Sequence, residues 1–374
     1  MPELMSDTLP PPAATRPDAA PKKSSGKALK TVLIAALLGL IAAYLWHKRG
    51  SFDWRSLGPQ LRSVSVWTVL VGIAIIYVCY WLRAMRWSVL LKSLRPASTS
   101  EVFPAQLIGF TAVALFGRLA DLARPYIIAR QLDTPVATQL AVYSVERAFD
   151  LGAAAILFSV TLAFGASGLP HHEAFTRAGV VSTLATLIVV VFAVALRLQG
   201  DRVARLAGGL AGKFSPKFGA MVEARLLDLK AGFQTLATFG EFAAALTLSL
   251  VMWALVALAY MICARAFLDS PSLVHFGVAA TMLLMATSIG GSVFQLPIVG
   301  WFTQIAVLAA ALHGFFDVPL ETATACAAIM FLVTYLAVIP GGLIFARLRG
   351  LSLRGAAHSA EQGSPEDAGR APAA

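Results

Sequence analysis

The sequence predicts an all-α protein that crosses a membrane several times, and two observations carry this fold class. Hydrophobic residues make up 58% of the chain and charged residues only 13%, whereas about a quarter of the residues in a soluble domain are charged. Apolar runs of about 20 residues, long enough to cross a bilayer as helices, are separated by basic segments. Because lipid offers no partners to backbone amides, such runs must satisfy their hydrogen bonds internally, as helices do.

The remaining composition excludes other classes of protein. Although the formal net charge is +10, Lys and Arg concentrate at the ends of apolar runs, where they set membrane topology and contact anionic lipids. We therefore expect no binding of nucleic acid. Each of the three cysteines lies inside an apolar run without metal-ligand spacing. Neither a disulfide framework, a metal site nor a cofactor is expected.

The chain divides into a membrane domain and two polar ends. Residues 1–28 are rich in Pro, Ala, Ser and charge, and they cannot bury enough apolar surface to fold. They are predicted to be a disordered tail, as are residues 351–374. Residues 29–350 form the predicted membrane domain. Because Lys and Arg precede the first apolar run and follow the last one, both tails are predicted to be cytoplasmic.

Within the membrane domain, we predict about six full spans and two re-entrant hairpins. The spans are Thr31–Trp46, Val66–Leu91, Val136–Phe164, Val180–Leu196, Phe242–Phe267 and Thr322–Ala346. Residues 104–132 have the limbs 104–117 and Leu119–Leu132, and Pro125 interrupts the second limb. Residues 275–312 have the limbs His275–Ile289 and Ile305–Leu312 around a Gly- and Pro-rich stretch. Both segments have limbs too short to cross hydrocarbon about 30 Å thick. They are predicted to enter the membrane from opposite sides. Such a pair, one in each half of the chain, is typical of a transporter's binding site.

Residues 197–239 form the only sizeable segment predicted to lie outside the membrane, and their basic character predicts a cytoplasmic location. Their apolar residues recur at steps of three and four and therefore share one helical face. These residues are Phe218, Val222, Leu226, Leu229, Phe233 and Leu236. The helix is expected either to lie on the membrane surface or to pack on the cytoplasmic end of the bundle. Docking of a cytoplasmic partner is a further alternative.

Charged residues concentrate between Gly117 and Asp150, in or beside apolar segments where charge is costly and commonly functional. They are Arg118, Asp121, Arg124, Arg130, Glu146, Arg147 and Asp150. In the first hairpin, Arg118, Asp121 and Arg124 are spaced three apart and are expected on one face. In the following span, Glu146 and Asp150 are i and i+4 neighbours on one face, from which Arg147 is expected to point away.

Two further arginines, Arg83 and Arg86, lie three residues apart near the end of the second span. Their side chains are expected either to extend to the headgroups or to line a cavity. A guanidinium group suits phosphate, so Arg118 and Arg124, oriented by Asp121, are candidates for holding a phosphodiester headgroup. The alternative is an internal charge network that pins the hairpin to the next span.

The run GRLADLARPYIIARQL followed by VYSVERAFDL resembles a motif of the transmembrane-domain family of lysylphosphatidylglycerol synthetases, a flippase-like group. That motif is P-x-R-x-G-E-x-x-R-x-x-L with a downstream E-R-x-x-D. The resemblance assigns its charged positions to Arg118, Asp121, Arg124, Glu146, Arg147 and Asp150. Gly117, Ala120 and Asp121 replace its Pro, Gly and Glu. The stretch SIGGSVFQLPIVGWFTQ resembles the family's Gly-rich carboxyl-terminal motif without its Pro-Gly-Gly and Arg-Glu.

The resemblance, which covers residues 29–349 in layout, implies binding or movement of lipids across a membrane, which we expect to be a bacterial cytoplasmic membrane. The second hairpin, which opposes the first, is expected to contribute Gln295 and Gln304 as further polar groups. The candidate substrate-binding residues are therefore Arg83, Arg86, Arg118, Asp121, Arg124, Glu146, Arg147, Asp150, Gln295 and Gln304. Membrane lipids with an anionic or phosphate headgroup are the expected partners.

No enzyme activity is expected. Aminoacyl transfer in this family needs a soluble domain of a few hundred residues, and 24 residues follow Gly350. No nucleophile lies beside a recognisable base. Two alternatives to a lipid flippase stay open. One is a secondary transporter of a small anion, with Glu146 or Asp150 carrying a proton. The other is a non-transporting subunit that docks a cytoplasmic partner through residues 197–239.

Overall fold

The computed structural model describes residues 53–165, 172–233, 238–291 and 299–350. Within these ranges the chain is helical and contains no strand. Five helices of the described chain are long and apolar enough to cross a membrane. The structure thereby confirms an all-α, polytopic membrane protein. The predicted span Thr31–Trp46 and both predicted tails lie outside the described residues.

The helices are labelled here in chain order. The first seven are α1 (Trp54–Arg62), α2 (Val66–Leu91), α3 (Thr99–Phe116), α4 (Ala123–Leu132), α5 (Val136–Gly165), α6 (His172–Gly212) and α7 (Pro216–Phe233). The others are α8 (Phe239–Arg265), α9 (Pro271–Val274), α10 (Val278–Gly291), α11 (Val299–Phe316), α12 (Leu320–Phe331) and α13 (Val338–Leu348). A 3-10 turn, Arg118–Leu122, joins α3 to α4, and a π-helical turn, Leu332–Leu336, joins α12 to α13.

Four of the predicted spans are confirmed to within a few residues. They are Val66–Leu91, Val136–Phe164, Phe242–Phe267 and Thr322–Ala346, which correspond to α2, α5, α8 and the continuous segment Leu320–Leu348. The predicted span Val180–Leu196 is part of the longer helix α6. That helix continues to Gly212 through a kink at Gln199, whose φ of −132° and ψ of 41° are not helical.

The first predicted hairpin breaks at Gly117, between its two predicted limbs, whereas the predicted interruption of its second limb at Pro125 is wrong. Gly117 has a φ of 82°, a conformation that side chains disfavour, and α3 ends there. Pro125 lies in the first turn of α4, where backbone amides have no helical partner, so the proline interrupts nothing. The predicted start at residue 104 is also wrong. Ser98 and Glu101 form a capping box that starts α3 earlier.

This earlier start changes the length of the first limb. With 18 residues, α3 is long and apolar enough to rank among the five candidate spans of the described chain. At 1.5 Å per residue, that corresponds to about 27 Å. The limb is therefore longer than the 14 residues predicted, and its 18 residues fall within the range of about 17–25 that can cross a membrane, so the prediction that it is too short is wrong.

The second predicted hairpin consists of α10 and α11, and residues 292–298 between them lie outside the described part of the chain. Its second limb, α11, begins at Val299, earlier than predicted. Trp301 of α11 donates its indole N–H to the carbonyl of Ala114 in α3, with an N···O distance of 2.9 Å. The fold therefore brings the two interrupted segments of the sequence into direct contact.

Six helices contribute buried residues to one apolar cluster of the described bundle. The cluster includes Trp87 of α2, Ile108 of α3 and Phe149 of α5, together with residues of α4, α8 and α13. Helix α13 also packs closely on α3, because Gly342 leaves room for Thr111, whose hydroxyl donates to the carbonyl of Val338 (3.2 Å). These contacts hold α3 and α4 firmly beside α2 and α5.

The basic segment forms a helical hairpin from the part of α6 that follows the kink and from α7. The two helices approach closely because Gly208 and Gly212 of α6 face Gly219 of α7. Lys230 donates to Asp201 (2.7 Å), and this hydrogen bond, with the lysine's charge, lowers the pKa of Asp201.

The predicted apolar face of α7 is only partly packed on protein. Leu226 contacts the buried cluster around Trp87, whereas Phe218 is exposed. The side chains of Leu229 and Phe233, and all of Leu236, lie outside the described part. The structure therefore combines features of both sequence alternatives, with contact to the bundle near Leu226 and an exposed apolar surface near Phe218.

Candidate functional site

Seven charged side chains form one network between α2, the first hairpin and α5. We call this the charge network, and it comprises Arg83, Arg86, Asp121, Arg124, Glu146, Arg147 and Asp150. The helices place these groups together because α2 and α5 each contribute successive turns of one face. The break at Gly117 then turns α4 back toward them.

Glu146 is the centre of the charge network and is fully buried. Its Oε1 accepts from Nη2 of Arg86 at 2.8 Å. Its Oε2 accepts from Nη1 of Arg124 and from Nη2 of Arg147, each at 3.1 Å. A buried carboxylate is stable only when it is paired in this way. Glu146 thus links α5 to both α2 and the first hairpin.

Asp150 lies one turn further along α5 and also binds three guanidinium groups. Its Oδ1 is 2.7 Å from Nη1 of Arg86. Its Oδ2 is 2.9 Å from Nη2 of Arg147 and 3.3 Å from Nη1 of Arg83. The prediction that Arg147 points away from this face is wrong, because residues three apart on a helix are neighbours as well as those four apart.

Asp121 and Arg124 complete the network from the hairpin side. Nε of Arg124 donates to Oδ1 of Asp121 at 2.9 Å, while the hydroxyl of Tyr143 donates to Oδ2 at 2.6 Å. Gln106 accepts a further bond from Arg124 at 3.1 Å. The arginine fits because residue 109 is glycine, and a Cβ there would overlap its side chain. The internal network that sequence analysis offered as an alternative is therefore present.

Positive charge exceeds negative charge in the described network. Four arginines face three carboxylates, which leaves a net charge of one positive. Nε of Arg86, Nη2 of Arg124 and Nε of Arg147 are buried and have no acceptor among the described residues. Each such donor costs about 1–3 kcal/mol if it stays unbonded. The described network therefore has one uncompensated positive charge and three donors without acceptors, with which an anion can pair.

A cavity of about 190 Å³, here called the polar cavity, adjoins the network at Arg83. Its polar lining includes Tyr260, Ser288, Gln304 and Thr334. Ser288 is hydrogen-bonded to the hydroxyl of Tyr260 (2.8 Å) and accepts from Nε2 of Gln304. Oε1 of Gln304 is buried without a donor among the described residues. Arg83 from α2 and Gln304 from the second hairpin thus line one space.

A second cavity, of about 260 Å³, lies between α5, α8 and α10 and is almost wholly apolar. We call it the apolar cavity. Leu151, Phe158 and Met282 line it. It shares Trp253, Met285 and Ile289 with the polar cavity. An apolar compartment therefore adjoins the polar one through common walls.

The family of the chain follows from a comparison with protein-family models. Residues 28–342 match the model described as the lysylphosphatidylglycerol synthase TM region. The chain belongs to this family. No curated protein and no solved structure matches it. Membership agrees with the resemblance of the runs around Arg118 and Glu146, and it supports a lipid-related role in a membrane.

In this member of the lysylphosphatidylglycerol synthase TM family, most of the predicted site residues are neighbours. Arg83, Arg86, Asp121, Arg124, Glu146, Arg147 and Asp150 form the charge network, and Gln304 lines the adjoining polar cavity. The backbone of Arg118 lies in the 3-10 turn, but its side chain is outside the described part, as is all of Gln295. For Arg86, which is fully buried, the structure favours the inward alternative over contact with headgroups.

Several members of the site carry no signal that sequence reasoning used. They are Gln106, Gly109, Tyr143, Ser249, Tyr260 and Ser288. Tyr143 precedes Glu146 by three residues, so the helical spacing could have shown that the two share a face. Ser249 accepts a hydrogen bond from Arg86 at 2.6 Å. Helical spacing could not reveal this contact, because the two residues lie on different helices.

Proposed function

We propose that this protein binds the anionic headgroup of a phospholipid or of a lipid-linked precursor and moves it across the bilayer without catalysing a reaction. The observation that carries the proposal is the buried charge network, with one positive charge in excess and donors without acceptors among the described residues. We further propose that the membrane is a bacterial cytoplasmic membrane and that both termini are cytoplasmic, as the distribution of Lys and Arg indicates.

The chemistry of the excess charge fits a phosphodiester. A phosphodiester carries one negative charge and several acceptor oxygens, and planar guanidinium groups bind such oxygens in pairs. One bound headgroup would bring the four arginines and three carboxylates of the network to neutrality. Neutralisation matters here because unbalanced charge in a low-dielectric interior is costly.

Arg83 is the arginine of the charge network that lines the polar cavity, so it is placed to make the first contact with a headgroup there. It lines the polar cavity, and its side chain is 14% exposed. Its hydrogen bond to Asp150, at 3.3 Å, is longer than the 2.7 Å bond from Arg86 to the same carboxylate. Turning Arg83 from Asp150 toward a ligand leaves Asp150 paired with two other arginines. The network therefore holds its structure while one guanidinium changes partner.

The apolar cavity supports a lipid over a soluble anion. A cavity of about 150 Å³ with apolar walls accommodates a benzene-sized group, and this one is larger, at about 260 Å³. It adjoins the polar cavity along the walls that Trp253 and Met285 provide. A headgroup beside Arg83 would therefore have space for part of its hydrocarbon chain within the same protein.

The experiment is a translocation assay with purified protein in proteoliposomes that contain fluorescent lipids differing only in their headgroup. Wild-type protein should move a phosphate-bearing anionic lipid. The Arg83→Gln variant should lose at least about tenfold in rate, because an arginine–phosphate contact contributes about 1.5–3 kcal/mol. The matched control is Arg130→Gln, at an exposed arginine of α4 outside the charge network. Equal rates for wild type and Arg83→Gln, with both variants folded, would contradict the proposal.

The same assay tests the second candidate function. If the substrate is a small soluble anion, a gradient of that anion should drive uptake into the vesicles, and lipids should remain in their leaflet. The carboxylates do not favour proton coupling, since Glu146 and Asp150 are each held by three arginines within 3.3 Å. We therefore propose the lipid substrate first.

A further inference from the structure

The helical hairpin of residues 200–233 carries a surface that the charge network does not explain. We propose that this hairpin lies in the headgroup region of the bilayer and inserts its exposed apolar side chains among anionic lipids. The proposal is independent of the translocation function, because it concerns a surface outside the charge network and the two cavities.

Large apolar side chains on the hairpin are exposed. Leu206 is 69% exposed, Leu210 61% and Phe214 90%. Phe218 and Met221 of α7 are also about half exposed. Single exposed apolar residues need no explanation, but several within one short hairpin mark an interaction surface. The surface requires an apolar partner that the described protein does not provide.

The spacing of the apolar residues along α6 indicates which face that partner covers. Val203, Leu206, Ala207 and Leu210 follow the spacing i, i+3, i+4 and i+7 and so form one stripe. The stripe starts at Val203, which packs against the buried apolar cluster of the bundle. It then continues along the same face to the exposed Leu206 and Leu210. The same apolar face of α6 therefore continues beyond the bundle, where its side chains are exposed.

Helix α7 repeats this arrangement. Phe218, Val222 and Leu226 are spaced four apart, and Leu226 packs against the same cluster whereas Phe218 is exposed. Before the kink at Gln199, Leu187 and Ile188 of α6 are exposed on the predicted span Val180–Leu196, so they are expected to face lipid. Both stripes of the hairpin thus run from contact with the bundle to exposed apolar side chains.

The charge of the hairpin fits an anionic lipid surface. Residues 200–233 contain six Lys or Arg and three Asp or Glu, a net charge of three positive. One of the acidic residues, Asp201, is paired with Lys230. The exposed cations Arg202, Arg205, Lys213 and Lys217 flank the apolar residues. Apolar side chains bordered by cations are the arrangement of helices that lie in the interface of anionic membranes.

The test is nitroxide labelling of the full-length protein in vesicles of phosphatidylcholine with and without phosphatidylglycerol. Phe214→Cys and Phe218→Cys place labels on the proposed inserted surface. Ala220→Cys is the matched control, since Ala220 is exposed and lies about 160° around α7 from Phe218. The native cysteines are buried. Treating wild-type protein with the label measures any background labelling of them. Accessibility to oxygen and to a water-soluble nickel complex reports the depth of each label.

Labels at positions 214 and 218 should show an oxygen-to-nickel accessibility ratio several-fold higher than the label at 220. The double variant Lys213→Gln/Lys217→Gln should reduce that ratio in vesicles with phosphatidylglycerol. Equal nickel accessibility at all three positions would overturn the proposal. Protection of positions 214 and 218 from both reagents would also overturn it, because protein would then cover the surface. Dipolar coupling between labels would identify that protein as a second copy of the chain.

Discussion

Arg124 of the first hairpin donates to Glu146 of α5 across 3.1 Å, and both side chains are completely buried. This pair joins the segment after Gly117 to the following span. Each partner is held by further groups, so neither can be removed without leaving the other's charge in the protein interior. The relationship makes the charge network a structural element as well as the proposed binding site.

Replacing Glu146 by Gln should destabilise the protein strongly. Arg86, Arg124 and Arg147 would lose a shared anion, and breaking a buried ion pair costs about 3–5 kcal/mol. Thermal unfolding of purified protein in detergent measures the loss. The control is Glu173→Gln, because Glu173 is exposed and its ion pair with the exposed Arg177 is long, at 3.9 Å. A Glu146→Gln variant as stable as this control would show that the network does not stabilise the fold.

Gly109→Ala should displace Arg124 from its carboxylates. A Cβ at residue 109 would overlap the side chain of Arg124, and inserting a methyl group into a packed interior costs about 1–3 kcal/mol. Gly152→Ala is the matched control, because a Cβ on that helical glycine of α5 meets nothing within 4 Å. We expect a lower midpoint of thermal unfolding for Gly109→Ala alone. Similar midpoints for the two variants would contradict the packing described around Arg124.

Filling the apolar cavity should slow translocation without unfolding the protein. Ala286→Phe places a ring in the space between α5, α8 and α10, where the lipid hydrocarbon is proposed to lie. The expected result is a several-fold lower rate in proteoliposomes with an unchanged unfolding midpoint. Ala137→Phe, at an exposed position of α5, controls for added volume elsewhere. Full activity of Ala286→Phe would exclude the apolar cavity as part of the path.

Removing the hydroxyl of Tyr143 should loosen Asp121 and leave the rest of the network in place. That hydroxyl donates to Asp121 at 2.6 Å, and hydrogen bonds to charged groups contribute about 1.5–3 kcal/mol. Tyr143→Phe should therefore lower the unfolding midpoint by less than Glu146→Gln does. Tyr126→Phe serves as the control on α4. An effect of Tyr143→Phe as large as that of Glu146→Gln would indicate a different centre of the network.

Sequence reasoning predicted the fold class, four apolar helices to within a few residues and all seven charged residues of the charge network. The spans could be predicted because a membrane helix needs an apolar run of about 20 residues. The charged residues could be predicted because charge inside such a run is costly and commonly functional. Sequence reasoning failed at Pro125, because a proline in the first turn of a helix removes no helical hydrogen bond and leaves α4 uninterrupted. The predicted turn between the limbs lies at Gly117, whose positive φ ends α3.

Contacts between helices were the other limit. No periodicity in α2 shows that Arg86 pairs with Glu146 and Ser249 on two other helices. The role of Gly109 likewise depends on its distance from Arg124 in space. The cavities could not be predicted either, because their walls come from residues far apart in sequence, such as Arg83 and Gln304.

The most direct test of the central claim is a measurement of lipid binding, separate from transport. Native mass spectrometry of the purified protein with equal amounts of phosphatidylglycerol and phosphatidylcholine reports which headgroup stays bound. Wild-type protein and Arg130→Gln should retain phosphatidylglycerol preferentially. In Arg83→Gln the ratio of bound phosphatidylglycerol to bound phosphatidylcholine should be about tenfold lower. Equal retention of the two lipids by wild-type protein, or an unchanged preference in Arg83→Gln, would contradict an anion site at the charge network.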